Sequence, residues 1–283
     1  MDPLGILATV TAVGVLGLGM WLGRRIVERV RWNRPLEFLD APVPEGWESI
    51  VRENIPLARR LDGPDFERLL KLVQVFLDQK HIEGAGGLDV TEEIRVTIAA
   101  GASVLLLWMP DVGCYPSLRT VIVYPDAMIP KYAGSGGTRR GKPILGQSWS
   151  HGTVVLSWDS ARHGVFDPRD GKNVVMHEFA HQLDQEDGDA DGIPVGLKTS
   201  SLKAWARVME RRFRWLVRAK QKGRKSTLNK YGATNRAEFF AVATETFFEK
   251  PSQLRLRKPD LYEALADFYG VDPVEAGLAP SSA

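Results

Sequence analysis

The chain has a single cysteine, Cys114, in 283 residues. One thiol can form neither an intramolecular disulfide nor a thiolate metal cluster, which excludes a disulfide-stapled secreted module and a Cys-rich finger and fits a reducing compartment. Neither sign of charge dominates, since 37 Lys and Arg face 35 Asp and Glu. No overall field therefore draws nucleic acid, which is not expected as a partner, and any basic effect has to be local. Internal repeats are absent. The glycine-rich stretch from Tyr132 to Lys142 has no P-loop Lys-Ser pair and no dinucleotide spacing, so it reads as a surface loop.

Uncharged runs long enough to cross a membrane are also missing, with one exception. From Leu4 to Leu22 the chain runs 19 residues without a charge. As a helix rising ~1.5 Å per residue it would be about 28 Å long, close to the ~30 Å hydrocarbon core of a bilayer. Asp2 precedes the run, and Arg24, Arg25, Arg29, Arg31 and Arg34 come after it. That order is the reverse of a secretory leader, and by the positive-inside rule it leaves the body of the protein in the cytoplasm. The expectation is an N-terminal transmembrane anchor at 1–23 and a single-pass protein of the cytoplasmic (inner) membrane. A basic, Pro-rich linker at 24–46, punctuated by Pro35, Pro42, Pro44 and Gly46, would lead to a folded domain at 47–273. Residues 274–283 are expected to form a disordered tail.

Within the domain, helical periodicity predicts helices after Pro64, from Thr91 to Leu107, Asn173 to Asp184, Leu202 to Lys220, Arg236 to Phe248 and Pro259 to Tyr269. Two short β-branched or aromatic runs, Val121 to Tyr124 and Thr153 to Trp158, predict strands. The basic run from Arg211 to Lys225 shares a predicted helix with Trp205, Phe213 and Leu216 and reads as its solvated face.

The strongest chemical signal is Val174-Val175-Met176-His177-Glu178-Phe179-Ala180-His181. Positions i and i+4 share a helix face, so His177 and His181 can direct two imidazoles at one ion. Glu178, one residue round the helix, can reach a water on that ion without joining its ligands. A hydrolytic zinc site takes three protein ligands and one open position. Two candidates exist for the third. Asp187 has the spacing of a local ligand, but Asp184 stands where a glycine would make the sharp helix exit. The distal candidate is Glu238, which opens a predicted helix rich in phenylalanine, with Glu245 seven residues further on the same face. Asp184 is a candidate acceptor for a ligand imidazole N–H, or else a helix-end surface acid.

Three segments taken together resemble the Mlc titration factor A family of zinc-dependent peptidases: Gly146 to Trp158, Asn173 to Asp184, and Tyr231 to Phe248. The resemblance covers roughly Trp47 to Pro273. It implies an α+β fold, mainly helical with a small sheet, of the zincin class and gluzincin kind, similar to the catalytic domain of anthrax lethal factor. It implies His177, His181 and Glu238 as ligands of one Zn2+ ion, Glu178 as general base and Tyr231 as the oxyanion donor. In a zincin an edge strand beside the active-site helix pairs with extended substrate, and Thr153 to Trp158 is the candidate. The expected function is a zinc-dependent metallopeptidase of aminopeptidase type acting on a peptide or protein, with the membrane contacted through the N-terminal helix. The alternative is a regulatory protein on the same fold that sequesters a partner such as a transcriptional repressor.

Overall fold

The structure, a computed structural model, describes residues 38–109, 113–126, 146–149, 152–166 and 170–280. Helix α1 (Trp47–Asn54) begins the domain, and Trp47 Nε1 donates to Glu92 Oε1 at 2.7 Å. Helix α2 (Gly63–Gln79) starts where Asp62 accepts from the Asp65 amide and a proline occupies the first turn, two devices suited to a helix N-terminus. It buries Phe66, Leu69, Leu70, Val73 and Phe76 along one face. Helix α3 (Glu92–Val104), capped by Thr91, is buried from Val96 to Val104.

Among the described residues the sheet has four strands, β1 (His81–Gly84), β2 (Thr120–Tyr124), β3 (Gly146–Trp149) and β4 (Thr153–Ser157), in the order β1-β2-β4-β3. The β1–β2 and β2–β4 pairs are parallel, with Val121 opposite Val154, while β3 runs antiparallel to β4 with Trp149 opposite Thr153. This arrangement corrects one expectation. The strand predicted at the edge, β4, is paired on both sides, and β3 is the edge strand beside the helix of the zinc motif.

After α4 (Trp158–Phe166) come α5 (Val174–Gln185), α6 (Leu202–Gln221), a 3-10 turn at Lys230–Ala233, α7 (Arg236–Glu249), α8 (Pro251–Arg257) and α9 (Pro259–Tyr269). Helix α5 is the central element. On one side a Cβ at Gly101 of α3 would lie 2.8 Å from Val175 Cγ1, so only glycine lets the two helices approach this closely. Beneath it, the Phe179 ring meets Phe76 and Tyr115 edge-on at centroid distances of 5.5 and 5.0 Å, and the Tyr115 hydroxyl donates to the Ala102 carbonyl. On the other side lies α7, buried along almost its whole length. A second aromatic cluster of Trp205, Phe240 and Phe268 joins α6 and α9 to α7.

The membrane expectations are corrected. Spanning needs about 20 consecutive apolar residues, and no helix among the described residues is long and apolar enough to cross a membrane. The longest, α6 at 20 residues, is broken by charges from Lys203 to Lys220, and α3, uncharged from Val96 onward, has only 13 residues. The segment 1–23 lies outside the described residues, as do Tyr132 to Lys142 and His151. Among the described residues the fold is a mostly helical domain with a small sheet, and no helix there is long and apolar enough to cross a membrane. The single-pass inner-membrane localisation and the membrane as a partner have no support from any described helix.

Both expected loose ends have contacts where they are described. Gln74 Nε2 donates to the Pro42 carbonyl at 2.9 Å, holding the end of the linker along α2. Where a disordered tail is expected from Val274, Leu278 is buried at 3% exposure and Arg255 pairs with Glu275.

Candidate metal centre

The zinc-motif helix begins where Asn173 Oδ1 accepts from the Met176 amide at 3.0 Å, which satisfies one of the free N–H groups of the first turn. Helix α7 begins in the same way, with Asn235 Oδ1 accepting from the Glu238 amide at 2.8 Å. These caps fix the two helices whose packed faces carry the polar cluster. Helical spacing places His177 and His181 on the α5 face turned to α7, and Glu238 in the first turn of α7 meets them.

The cluster is tight. His177 Nε2 lies 3.0 Å and His181 Nε2 3.4 Å from the same carboxylate atom, Glu238 Oε2. Among the described residues, His177, His181 and Glu238 are the group whose ligand atoms converge as a metal site requires, all within 4.8 Å of one another. Asp187, the local alternative, is outside this group and sits in a turn where it accepts from the Asp189 amide.

The chemistry of the donors calls for a cation. His177 Nδ1 lies 2.6 Å from Glu245 Oε1, so that nitrogen carries the proton and donates. In a neutral imidazole the other nitrogen, Nε2, is then a lone pair, and it faces a carboxylate oxygen. Two acceptors at 3.0 Å are reconciled only by a proton or a metal ion between them. His181 repeats the geometry through Nε2, while its Nδ1 is buried without a hydrogen-bond partner. The residues present therefore fit a metal ion.

The electrostatics agree. Burial by itself would lower the His177 pKa, but the charge of Glu245 and the hydrogen bonds of Glu238 and Glu245 raise it well above its ordinary range. Burial opposes ionisation of Glu238, yet its bonds to His177 and His181 hold it far below the usual carboxylate range. Three carboxylates, Glu178, Glu238 and Glu245, face two imidazoles, a set of nitrogen and oxygen donors suited to a divalent ion.

Glu178 is 5% exposed, and its Oε2 has no hydrogen-bond partner. Burial, against the pull of the two imidazoles, raises its pKa above the ordinary 4.5. Tyr231, 52% exposed, sits in the 3-10 turn between α6 and α7, and its hydroxyl donates to Glu238 Oε1 at 3.2 Å. Asn229 Oδ1 accepts from its amide, and the Thr234 hydroxyl donates to its carbonyl at 2.6 Å. A Cβ at Gly232 would lie 3.1 Å from Val242 and 3.3 Å from Leu216, so a glycine lets this turn settle between the two helices. Burial and then the nearby Glu238 charge push the phenol up to about 12, which keeps it a proton donor at neutral pH.

The structure brings together His177, His181, Glu178, Glu238 and Tyr231, and it gives Glu245, which the sequence leaves without a role, a partner among them. Glu245 spans from His177 Nδ1 to the Asn173 amide, which donates to its Oε2 at 2.8 Å. Its position two helical turns after Glu238 is the available signal in the sequence, but only the α5–α7 contact shows its partner. Asp184 does something else. It is fully buried, its carboxyl pushed up to about 8 by burial and by Asp191, and it accepts from the Gly192 amide at 2.8 Å. It thus organises the loop after α5, and Glu245 is the acceptor that meets an imidazole of the cluster.

Residues 28–270 match the family described as glucose-regulated metallo-peptidase M90. A protein of Synechocystis sp. described as uncharacterised is 33% identical over 246 residues, covering 85% of this chain and 89% of its own length. The proteins named Mlc titration factor A of Serratia proteamaculans and Pectobacterium atrosepticum are 31% and 30% identical over 256 and 241 residues. They cover 87% and 81% of this chain, and 94% and 87% of their own lengths.

Proposed function

Because the chain belongs to the M90 metallopeptidase family, we propose that it is a zinc-dependent peptidase in which His177, His181 and Glu238 hold one zinc ion. The observation that carries this reading is the convergence of two imidazole nitrogens on Glu238 Oε2, at 3.0 and 3.4 Å, beside an unpartnered Glu178 carboxylate. Ligands about 2.0–2.1 Å from a tetrahedral zinc stand about 3.3 Å apart, and the two separations bracket that value. When bound, zinc supplies positive charge that polarises the scissile carbonyl and makes water nucleophilic at neutral pH.

The remaining work falls to this chain's own groups. Glu178, with a pKa raised by burial, accepts a proton from the attacking water and delivers it to the leaving amine. Tyr231, protonated and exposed at the mouth of the site, donates from its hydroxyl to the oxyanion that develops on the carbonyl. Glu245 fixes the tautomer and ring orientation of His177 through Nδ1. The edge strand β3, antiparallel to β4, is the element on which an extended peptide can pair. An aminopeptidase-type specificity rests on the family resemblance alone.

A second reading, capture of a protein partner on the same fold, is favoured by the name Mlc titration factor A that relatives carry. Glu178→Gln separates the two. The peptidase reading expects the variant to keep zinc and lose about 10²–10⁴-fold of peptide hydrolysis. Undiminished cleavage by a zinc-loaded variant would sink it.

A further inference from the structure

From Arg211 to Ala237 the sequence contains no acidic residue. Part of this positive charge is matched from elsewhere in the fold. Arg211 and Arg212 both pair with Asp260, and Arg214 and Arg236 share Glu210. The rest is not. Arg218, Lys220, Lys222, Arg224 and Lys225 are exposed, and neither they nor the half-buried Lys230 has an ion-pair partner among the described residues.

Helix ends explain only some of these cations. Arg218 and Lys220 lie in the last turn of α6, where the free carbonyls favour positive charge. Lys222, Arg224, Lys225 and Lys230 lie beyond it, on the stretch of chain that leads into the metal centre. Leu228 is buried, and Leu216 packs where a Cβ on Gly232 would touch it, so the segment is tied to the turn that holds Tyr231. Lys230 is the neighbour of Tyr231, whose hydroxyl reaches Glu238. Lys230 adjoins Tyr231, and the other cations precede it on the chain that leads into this turn, so the basic segment borders the site on its tyrosine side.

We propose that this cationic lip, Arg218 to Lys230, selects polypeptide substrates that carry acidic residues near the scissile bond. The proposal rests on the peptidase reading for its chemistry, but the lip itself is a binding surface. Charge complementarity favours an acidic segment, and two other polyanions fit less well. Single-stranded nucleic acid is gripped by several aromatic faces between the cations, whereas Trp215 of α6 is covered by Lys258, whose Nζ lies 3.4 Å from the ring centroid, and Tyr231 alone among the aromatics beside the lip is exposed. An anionic membrane takes an amphipathic helix by its apolar face, and Trp205, Met209 and Leu216 of α6 are buried in the domain.

The test compares the full-length zinc-loaded protein with its triple variant Lys222→Glu, Arg224→Glu, Lys225→Glu, and with the milder Lys→Gln, Arg→Gln, Lys→Gln set at the same positions. Two fluorescent peptides are used, one Glu-rich and one with Gln in place of each Glu. The parent should cleave the Glu-rich peptide at least about tenfold more efficiently in kcat/KM at low salt, with the preference lost at high salt. The charge-reversed variant should abolish the preference, the Gln set should reduce it, and cleavage of the Gln peptide should not change. Equal efficiency for both peptides in parent and variants overturns the proposal. If no peptide is cleaved, the peptidase reading fails separately, and anisotropy of the Glu-rich peptide decides the lip: weaker binding by the variant upholds it, equal binding overturns it. Tighter binding of a single-stranded oligonucleotide of the same charge, or of vesicles containing phosphatidylserine, also overturns it.

Discussion

His177 Nδ1 lies 2.6 Å from Glu245 Oε1, and that contact joins the helix of the zinc motif to the middle of α7. A carboxylate behind a ligand imidazole fixes which nitrogen is free to bind metal, and losing such a partner typically costs about 10–100-fold in affinity or activity. Glu245→Ala should weaken zinc binding by about 10–100-fold, while Glu245→Gln, which keeps an acceptor, should lose less. Competition with a chromophoric chelator measures both, and unchanged affinity in the alanine variant would show that the contact does not position His177.

The third ligand can be tested by metal content. Glu238→Ala should abolish stoichiometric zinc, because two imidazoles alone leave the site a ligand short. Asp187→Ala should retain it, since Asp187 stands outside the converging group. Elemental analysis of the purified variants decides, and the opposite pattern would transfer the role to Asp187.

Tyr231→Phe removes one hydrogen-bond donor and little else, because the ring is half exposed and the turn is held through backbone contacts. Zinc content should remain. Peptide hydrolysis should fall by about 10²–10³ in kcat, the usual loss for an oxyanion donor. A fall confined to KM would assign the tyrosine to substrate binding instead.

A stability test reports on the α6–α9 contact. Burial works against the Asp260 charge, but Arg212 and Arg211 outweigh it and hold its pKa below the ordinary 3.8. A depressed carboxylate stabilises the fold fully above its unfolded value and loses that contribution as pH falls through the folded value. At neutral pH Asp260→Asn should cost about 1 kcal/mol, a figure typical of a partly exposed ion pair. Urea denaturation at successive pH values should show the gap between parent and variant shrinking below 3.8. A gap that persists in acid would mean packing rather than charge.

Much of this molecule is readable from local pattern. The periodic apolar residues of α5, α6 and α9 mark helices within a residue or two of their bounds, because one buried face imposes the 3.6-residue period. His177, Glu178 and His181 emerge from spacing along one helix. The short elements are less visible. Strands β1 and β3 have four residues each, too few to establish an alternation, and without β3 the interior strand β4 reads as an edge. The uncharged run at 4–22 has the length and hydropathy of a span but lies outside the described residues, and no described helix is long and apolar enough to cross a membrane.

By itself the sequence determined the ligand chemistry. A single thiol leaves nitrogen and oxygen donors, and i, i+4 geometry turns two histidines to one face. What only the tertiary structure decided is which carboxylates meet them. Glu238 and Glu245 lie 61 and 68 positions from His177, and their arrival depends on the packing of α5 against α7. Helical periodicity acts over a few residues, whereas that contact depends on the close approach allowed by Gly101, the aromatic support under Phe179 and the two asparagine caps.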